Sequence, residues 1–350
     1  MYGVYKQNSE ICFLSSRANK VLVLCVFIGK VLTENKDFYF MQTLVANILA
    51  QIESVVIGKP HQVKLALACL LAKGHVLIED LPGMGKTTLA NTLAYTLGLS
   101  YQRIQFTSDL MPADVIGIAI FDEHKKAFQL HQGAIFNQVV LADEVNRASP
   151  KTQSALLEAM EEGRVSIDGV THQLPEPFFV IATQNPMSHA GTYPLPESQL
   201  DRFMMRISLG FPSLEAERKI LTSTSSHGHS SELTPCLNDQ QLTSIQQHIS
   251  EITVTPAIID YVLALCQLSR QPGQSRKALS PRAGKALIAA AKSWAFMENR
   301  DYVMPEDIQA VFSAVCEHRL APQQHNAFEQ NEEVSQQLLS QVDATNPMSE

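Results

Sequence analysis

The feature that most constrains this chain is a glycine-bearing turn set between an apolar strand and a helix. Val76-Leu77-Ile78-Glu79 has strand composition, and Gly83-Met84-Gly85-Lys86-Thr87-Thr88 follows after Asp80-Leu81-Pro82. Leu89, Leu93 and Leu97 then recur at helical spacing until Gly98 stops the run, which predicts a helix over 86–97. Backbone N–H groups in such a turn converge at the positive end of the helix, the geometry that holds phosphate oxygens. Lys86 supplies charge for β- and γ-phosphates, and the Thr87 hydroxyl suits Mg²⁺. Pro82, Gly83, Met84, Gly85 and Thr88 complete the cradle. The first glycine of the strict pattern is replaced by Asp80, a position read as only beginning the turn.

Two more apolar strands end in polar residues of matching use. Val139-Val140-Leu141-Ala142 runs into Asp143-Glu144, where one carboxylate can hold Mg²⁺ and the next can polarise the water that attacks a γ-phosphate. Val180-Ile181-Ala182 ends at Thr183-Gln184-Asn185, and its order after Glu144 makes Asn185 a candidate for orienting that water. With strands expected at 76–79, 102–106, 139–142, 178–182 and 205–209, the chain reads as an α/β protein built on a five-stranded parallel sheet. A second helix is marked by Ser149 as N-cap, Pro150 in its first turn and Gly163 at its end.

Two hairpins are expected to interrupt this order. One pairs 165–167 with 170–172 around Asp168-Gly169; the other pairs 118–121 with 127–130 around a charged tip. They serve either as surface decoration or as contacts to a substrate. After Phe211-Pro212 the strand signals cease and four helices are expected, with Pro256, Pro281 and Pro305 in first turns and Thr255 and Ser280 as caps. The stretch 222–231 reads as a loop, and the Gln/Asn-rich stretch beyond Pro322 as a frayed tail.

Size and charge narrow the function. At 350 residues the chain suits two domains, expected at 41–211 and 212–322 with a polar tail at 323–350. Acidic residues outnumber basic ones, 35 to 27, and no Lys/Arg run appears, so no nucleic-acid partner is expected. The six cysteines are scattered without a C-x-x-C pair, as in the reduced thiols of a cytoplasmic protein. An apolar stretch over 21–29 is short for a bilayer, so no membrane span is expected. A signal peptide remains open there, without a clear cleavage site. Residues 1–40 are expected to be a poorly ordered extension or the product of a start assigned too early.

These stretches together resemble the MoxR family of AAA+ ATPases. The resemblance is carried by GHVLIEDLPGMGKTTLA (74–90), VVLADEVNRASPKTQSALLEAMEEGRVSIDG (139–169), FVIATQNP (179–186), GTYPLPESQLDRFMMRISLG (191–210) and LSPRAGKALIAAAKSWA (279–295). It implies a nucleotide-binding core with a smaller all-helical lid, ATP and Mg²⁺ as ligands, and a homo-oligomeric, hexameric ring. By the same resemblance Asn185 is sensor 1, Arg202 is an arginine finger presented to the neighbouring subunit, and Arg282 is sensor 2. Arg206, one helical turn beyond Arg202, is a second candidate for such a contact. Val56 and Gly58 lie where the family packs the adenine base. The hairpins match the helix-2 insertion and the insertion before sensor 1, which places them near a ring's pore. The implied work is chaperone-like, remodelling or maturing a protein client, in some relatives with metal insertion and often beside a von Willebrand factor A domain protein. Two other readings stay open: a nucleic-acid motor, since replicative helicases share the insertions, and a nucleotide-controlled switch with little turnover.

Overall fold

A computed structural model describes residues 5–7, 10–12, 38–185, 192–222, 233–273, 277–320 and 334–345. The chain divides into two compact units, Met1–Val45 and Ala46–Glu350. In the first, the backbone forms an antiparallel hairpin from β1 (Tyr5–Gln7) and β2 (Glu10–Cys12), where an unstructured extension was expected. The apolar stretch 21–29 lies outside the described residues. Helix α1 covers 38–55.

The second unit is organised by five parallel strands, β3 (Val76–Glu79), β4 (Tyr101–Gln105), β7 (Val139–Asp143), β10 (Phe179–Gln184) and β11 (Met205–Ile207). Their order across the sheet is β11-β3-β10-β7-β4. Every residue of β7 and β10 is buried, as expected of central strands covered on both faces, which is why they read as unbroken apolar runs. At the edge, β4 is Tyr-Gln-Arg-Ile-Gln and mostly open to solvent. The expected strand positions hold, but their ends shift: β7 and β10 extend through Asp143 and Gln184, while β11 stops at Ile207 instead of 209. Hydrogen-bonding to the neighbouring strand continues to the polar ends of β7 and β10, where apolar composition alone had stopped.

Helix α2 (Pro60–Leu71) precedes β3, and α3 (Lys86–Thr96) follows it. A short α4 (Pro112–Ile116) leads into the hairpin β5 (Gly117–Asp122) and β6 (Ala127–Gln132). Helix α5 (Pro150–Glu162) opens on Ser149, whose side chain accepts from the Thr152 N–H, and closes on left-handed Gly163. The second hairpin, β8 (Arg164–Ile167) and β9 (Val170–Gln173), follows, and a single turn, α6 (Glu197–Leu200), precedes β11. A core of Leu77, Phe106, Val140, Leu156, Val180 and Phe203 packs between sheet and helices.

Beyond the sheet come α7 (Leu214–Thr222), α8 (Asp239–Glu251), α9 (Pro256–Ser269), α10 (Pro281–Met297) and α11 (Pro305–Leu320). Over 214–320 five helices thus stand where four were expected; α7 and α8 start without a proline at the first helical position. Helix α8 is set instead by a reciprocal cap between Asn238 and Gln241. Ser280 caps α10 through the Ala283 N–H, whereas Thr255 occupies the cap position of α9 without a side-chain bond. The expected loop over 222–231 lies almost wholly outside the described residues. The tail is not uniformly frayed: α12 (Val334–Gln341) buries Leu338, and Glu317 accepts the Ser335 N–H at 2.8 Å.

Candidate nucleotide site

The C-terminal ends of β3, β10 and β7 lie side by side, and each delivers one part of a site. After β3 the chain passes through Gly83 and Gly85 at φ of 83° and 91°, a left-handed region costly for other residues. A Cβ at either position would meet nothing within 4 Å, so these glycines are required by backbone shape and leave an open cradle. Gly85 is the N-cap of α3 and brings no side chain to the first-turn amides, which suits them to an anion.

Lys86 is 8% exposed and donates to the backbone carbonyl of Asp80 at 2.7 Å and to Asn185 Oδ1 at 3.2 Å. Burial pulls its ammonium below the ordinary lysine range, against the opposing pull of Asp80, Asp143, Glu144 and Glu79. Asn185 in turn donates from Nδ2 to Glu144 Oε1 at 3.0 Å. Glu144 stands in the left-handed region at φ 56°, its N–H bonded to Thr183 Oγ1 at 2.9 Å. Its second carboxylate oxygen accepts from Gln105 Nε2 and pairs with Arg147, both at 3.0 Å. Lys86, Asn185 and Glu144 therefore form one hydrogen-bonded line across three strands.

Asp143 accepts from Thr183 Oγ1 at 2.6 Å on one oxygen and from Arg103 at 2.6 and 3.2 Å on the other. A carboxylate offers about four acceptor positions, so these three hydrogen bonds leave one for a cation. With the half-buried Thr87 hydroxyl this makes a hard oxygen set. No group of three or more His, Cys, Asp or Glu side chains suited to a metal occurs among the described residues. That donor set fits Mg²⁺, which takes most of its ligands from phosphates and water. Arg103, Gln105 and Thr183 were not singled out from the sequence. The alternation along β4 puts Arg103 and Gln105 on one face, a signal that carries no function until β7 is known to be the neighbour.

Asp80 corrects the expectation that its position merely begins the turn. Its carboxylate is buried and accepts from Ser208 Oγ at 3.0 Å and from the N–H groups of Leu209 and Gly210. From the other side Lys59, also buried, donates to the carbonyls of Gly210 and Phe211 at 2.8 and 2.6 Å. The last peptides before the helical part are thus gripped from both directions. Val56 is buried, and a Cβ on Gly58 (φ 77°) would collide with Ala216 of α7.

Arg202 and Arg282 do not join this cluster. Met205 pairs with Val76 at the start of β3, and Arg202 precedes Met205, whereas the glycine turn follows the far end of β3. About four residues of strand, roughly 13 Å, separate those edges of the sheet. Arg202 pairs with Glu161 at 3.0 Å, a partner not foreseen from its neighbours in sequence. Arg282 pairs with the other oxygen of the same carboxylate at 2.8 Å and approaches Asp201 at 3.9 Å. Arg206 lies in a strand rather than one helical turn on, and pairs at 3.1 Å with Glu79 beside a cleft of about 400 Å³. In this chain its guanidinium is committed to its own sheet.

Sequence and structure comparisons agree with this architecture. The family described as "ATPase family associated with various cellular activities (AAA)" matches residues 75–205, and an AAA lid domain matches residues 272–340. The chain is 42% identical over 304 residues to the uncharacterized protein YeaC of Bacillus subtilis, covering 86% of this chain and 95% of that one. It is 40% identical over 284 residues to Chaperone MoxR1 of Mycobacterium tuberculosis, covering 77% and 74%. A crystal structure from Cytophaga hutchinsonii, of a protein assigned as an ATPase, superposes with a TM-score of 0.81 at 34% identity, covering 90% of this chain and 98% of that one. The phosphate cradle, the lid and these relatives together place the chain in the MoxR family of AAA+ ATPases.

Proposed function

We propose that this chain is a Mg²⁺-dependent ATPase that works as a ring, six-membered by kinship, and uses hydrolysis to remodel or mature partner proteins in the cytoplasm. The observation that carries the reading is the hydrogen-bonded line from Lys86 through Asn185 to Glu144 beside an open phosphate cradle. The amides of 83–88 and Lys86 bind the triphosphate, while the base rests against the segment holding Val56 and Gly58. Thr87 and Asp143 would hold Mg²⁺, which supplies neutralisation of the β- and γ-phosphate charge when bound. Asn185 and Gln105 fix the Glu144 carboxylate, which takes the proton of a water as its oxygen bonds to the γ-phosphorus and the bond to the bridging oxygen breaks, giving ADP and phosphate.

Arg202 and Arg282 act on the nucleotide of the adjoining copy, a reading supported by the place of Arg202 before the amino end of β11, away from its own cradle, and by the Glu161 carboxylate that both arginines share. A guanidinium supplied by a neighbour stabilises the charge on the phosphoryl group and ties hydrolysis to assembly. Client contact falls to the β5–β6 hairpin, where Ile118, Ile120, Phe121 and Phe128 are exposed and Phe128 is 73% open. Apolar side chains in that number on one hairpin are unusual for a surface without a partner. No helix among the described residues is long and apolar enough to cross a membrane.

The test is ATP turnover with nucleotide binding measured separately on the wild type, Glu144→Gln and Arg202→Ala. Both variants should bind nucleotide and fail to turn it over. A Glu144→Gln protein hydrolysing at the wild-type rate would overturn the assignment.

A further inference from the structure

Glu161 was not singled out by any motif, yet it is the point at which both arginines meet. It lies in the last turn of α5; Arg202 comes from the loop before β11, and Arg282 from the first turn of α10. One carboxylate oxygen takes Arg202 and the other takes Arg282. Each guanidinium uses a single terminal nitrogen for Glu161, and the side chain of Arg202 makes no other ion pair or hydrogen bond among the described residues. The remaining N–H groups of Arg202 are therefore available to a second anion.

The loop carrying Arg202 is fixed from behind. Arg319, on α11, pairs with Asp201 at 2.7 Å and donates to the backbone carbonyls of Asp201, Phe203 and Met204. His318 donates to the Phe203 carbonyl at 3.2 Å. Asp201 also faces Arg282. Three guanidiniums thus stand against the two carboxylates of Glu161 and Asp201, leaving one positive charge in excess. The exposed members lose little by facing water, and such pairs contribute on the order of 0–1 kcal/mol to stability. Stability gives little reason for joining two elements so distant in sequence; geometry gives a better one.

We propose that Glu161 is a positioning residue that pairs Arg202 with Arg282 into one anion receptor for the terminal phosphates of a nucleotide held by an adjoining copy of this chain. The proposal rests on the reading that Arg202 acts between copies. Because one arginine belongs to the α/β part and the other to the helical part, their pairing through Glu161 also makes the receptor depend on where the helical part stands.

The test mixes variants and reads turnover. Glu161→Ala protomers keep their own cradle intact and present misplaced arginines; Glu144→Gln protomers present intact arginines and lack the base. Alone, Glu161→Ala should lose roughly 10- to 100-fold in kcat, as expected for misplaced charge stabilisation, with its affinity for a fluorescent ATP analogue and its melting temperature unchanged. Glu161→Asp should recover part of the loss. Mixed one to one with Glu144→Gln, Glu161→Ala should regain turnover beyond the sum of the two separate proteins. Arg202→Ala mixed with Glu144→Gln serves as the control. If that control fails to complement, the reading of Arg202 between copies falls. If the control complements and Glu161→Ala shows wild-type kcat, or is not rescued by Glu144→Gln, the role of Glu161 falls alone.

Discussion

The two polar clusters of this molecule sit at opposite edges of one sheet and are built differently. At the carboxyl ends of β3, β10 and β7, Asn185 and Glu144 follow directly on buried strands, Lys86 opens α3 just beyond the glycine turn, and hydrogen bonds run Lys86 to Asn185 to Glu144 across those ends. At the amino end of β11, the side chains come from α5, a loop, α10 and α11, and they are joined by ion pairs and by the hydrogen bonds of Arg319 and His318 to the loop's carbonyls. A site made by strand ends is held by the packing of the strands themselves. One made by side chains from four elements depends on how those elements stand, and so is suited to respond to assembly.

The first way to break that comparison is to remove its moving side. Arg202→Ala should lower kcat by roughly 10³-fold or more, the scale of a missing arginine supplied by a neighbour, while an equilibrium binding assay with labelled ATP shows unchanged affinity. Next in size, Glu144→Gln should lower kcat by about 10²- to 10⁴-fold. Unlike Arg202→Ala, its defect should not be relieved by intact neighbours.

Asp80 joins the glycine turn to the last peptides before the helical part. Asp80→Ala would leave the Leu209 and Gly210 amides and the Ser208 hydroxyl without their acceptor. Ser208 is exposed and its hydroxyl can turn to water, but Leu209 is buried and Gly210 partly so, and a buried amide left unpaired costs about 1–3 kcal/mol. We expect lower stability in urea titration and weaker ATP binding together, whereas a variant that is destabilised yet binds ATP normally would sever the link between the turn and those peptides.

The smallest effect concerns acid. His75 accepts the Val180 N–H on Nδ1 and donates from Nε2 to the Met160 carbonyl, so it must be neutral, and burial holds it near about 4. His318, against Phe203, is held low mainly by burial as well. Between pH 6.5 and about 4 the unfolded chain binds a proton that the folded His75 refuses, so stability is full above that window and declines as pH falls through it. The shift corresponds to about 3 kcal/mol. Both histidines lie at the arginine edge, so hydrogen exchange at pH 5 should rise there before it rises around Lys86.

Much of the strand-end site was legible because an apolar run followed by a polar residue is a local pattern. Gly83 to Thr88, Asp143-Glu144 and Asn185 each announce themselves within six residues. Asp80 was misjudged because its partners, 208–210, are about 130 positions away and nothing near it betrays a buried carboxylate. Arg103 and Gln105 needed the strand order, which places β4 beside β7 only through a crossover. Arg202 and Arg282 were reached by resemblance, and Glu161 by neither route, because an acidic residue near a helix end is usually just solvated. The helical part was counted one helix short, and α7, which buries only Ala216 and leaves Leu214 and Leu221 exposed, carries the weakest apolar signal.

The central claim is that one copy binds ATP and two are needed to cleave it. Wild-type protein should therefore be diluted over a wide range while bound labelled ATP and phosphate release per chain are read on the same samples. The account predicts that binding per chain stays level as phosphate release falls away with dilution. Phosphate release per chain that remains constant down to a concentration where light scattering shows only single chains would contradict it.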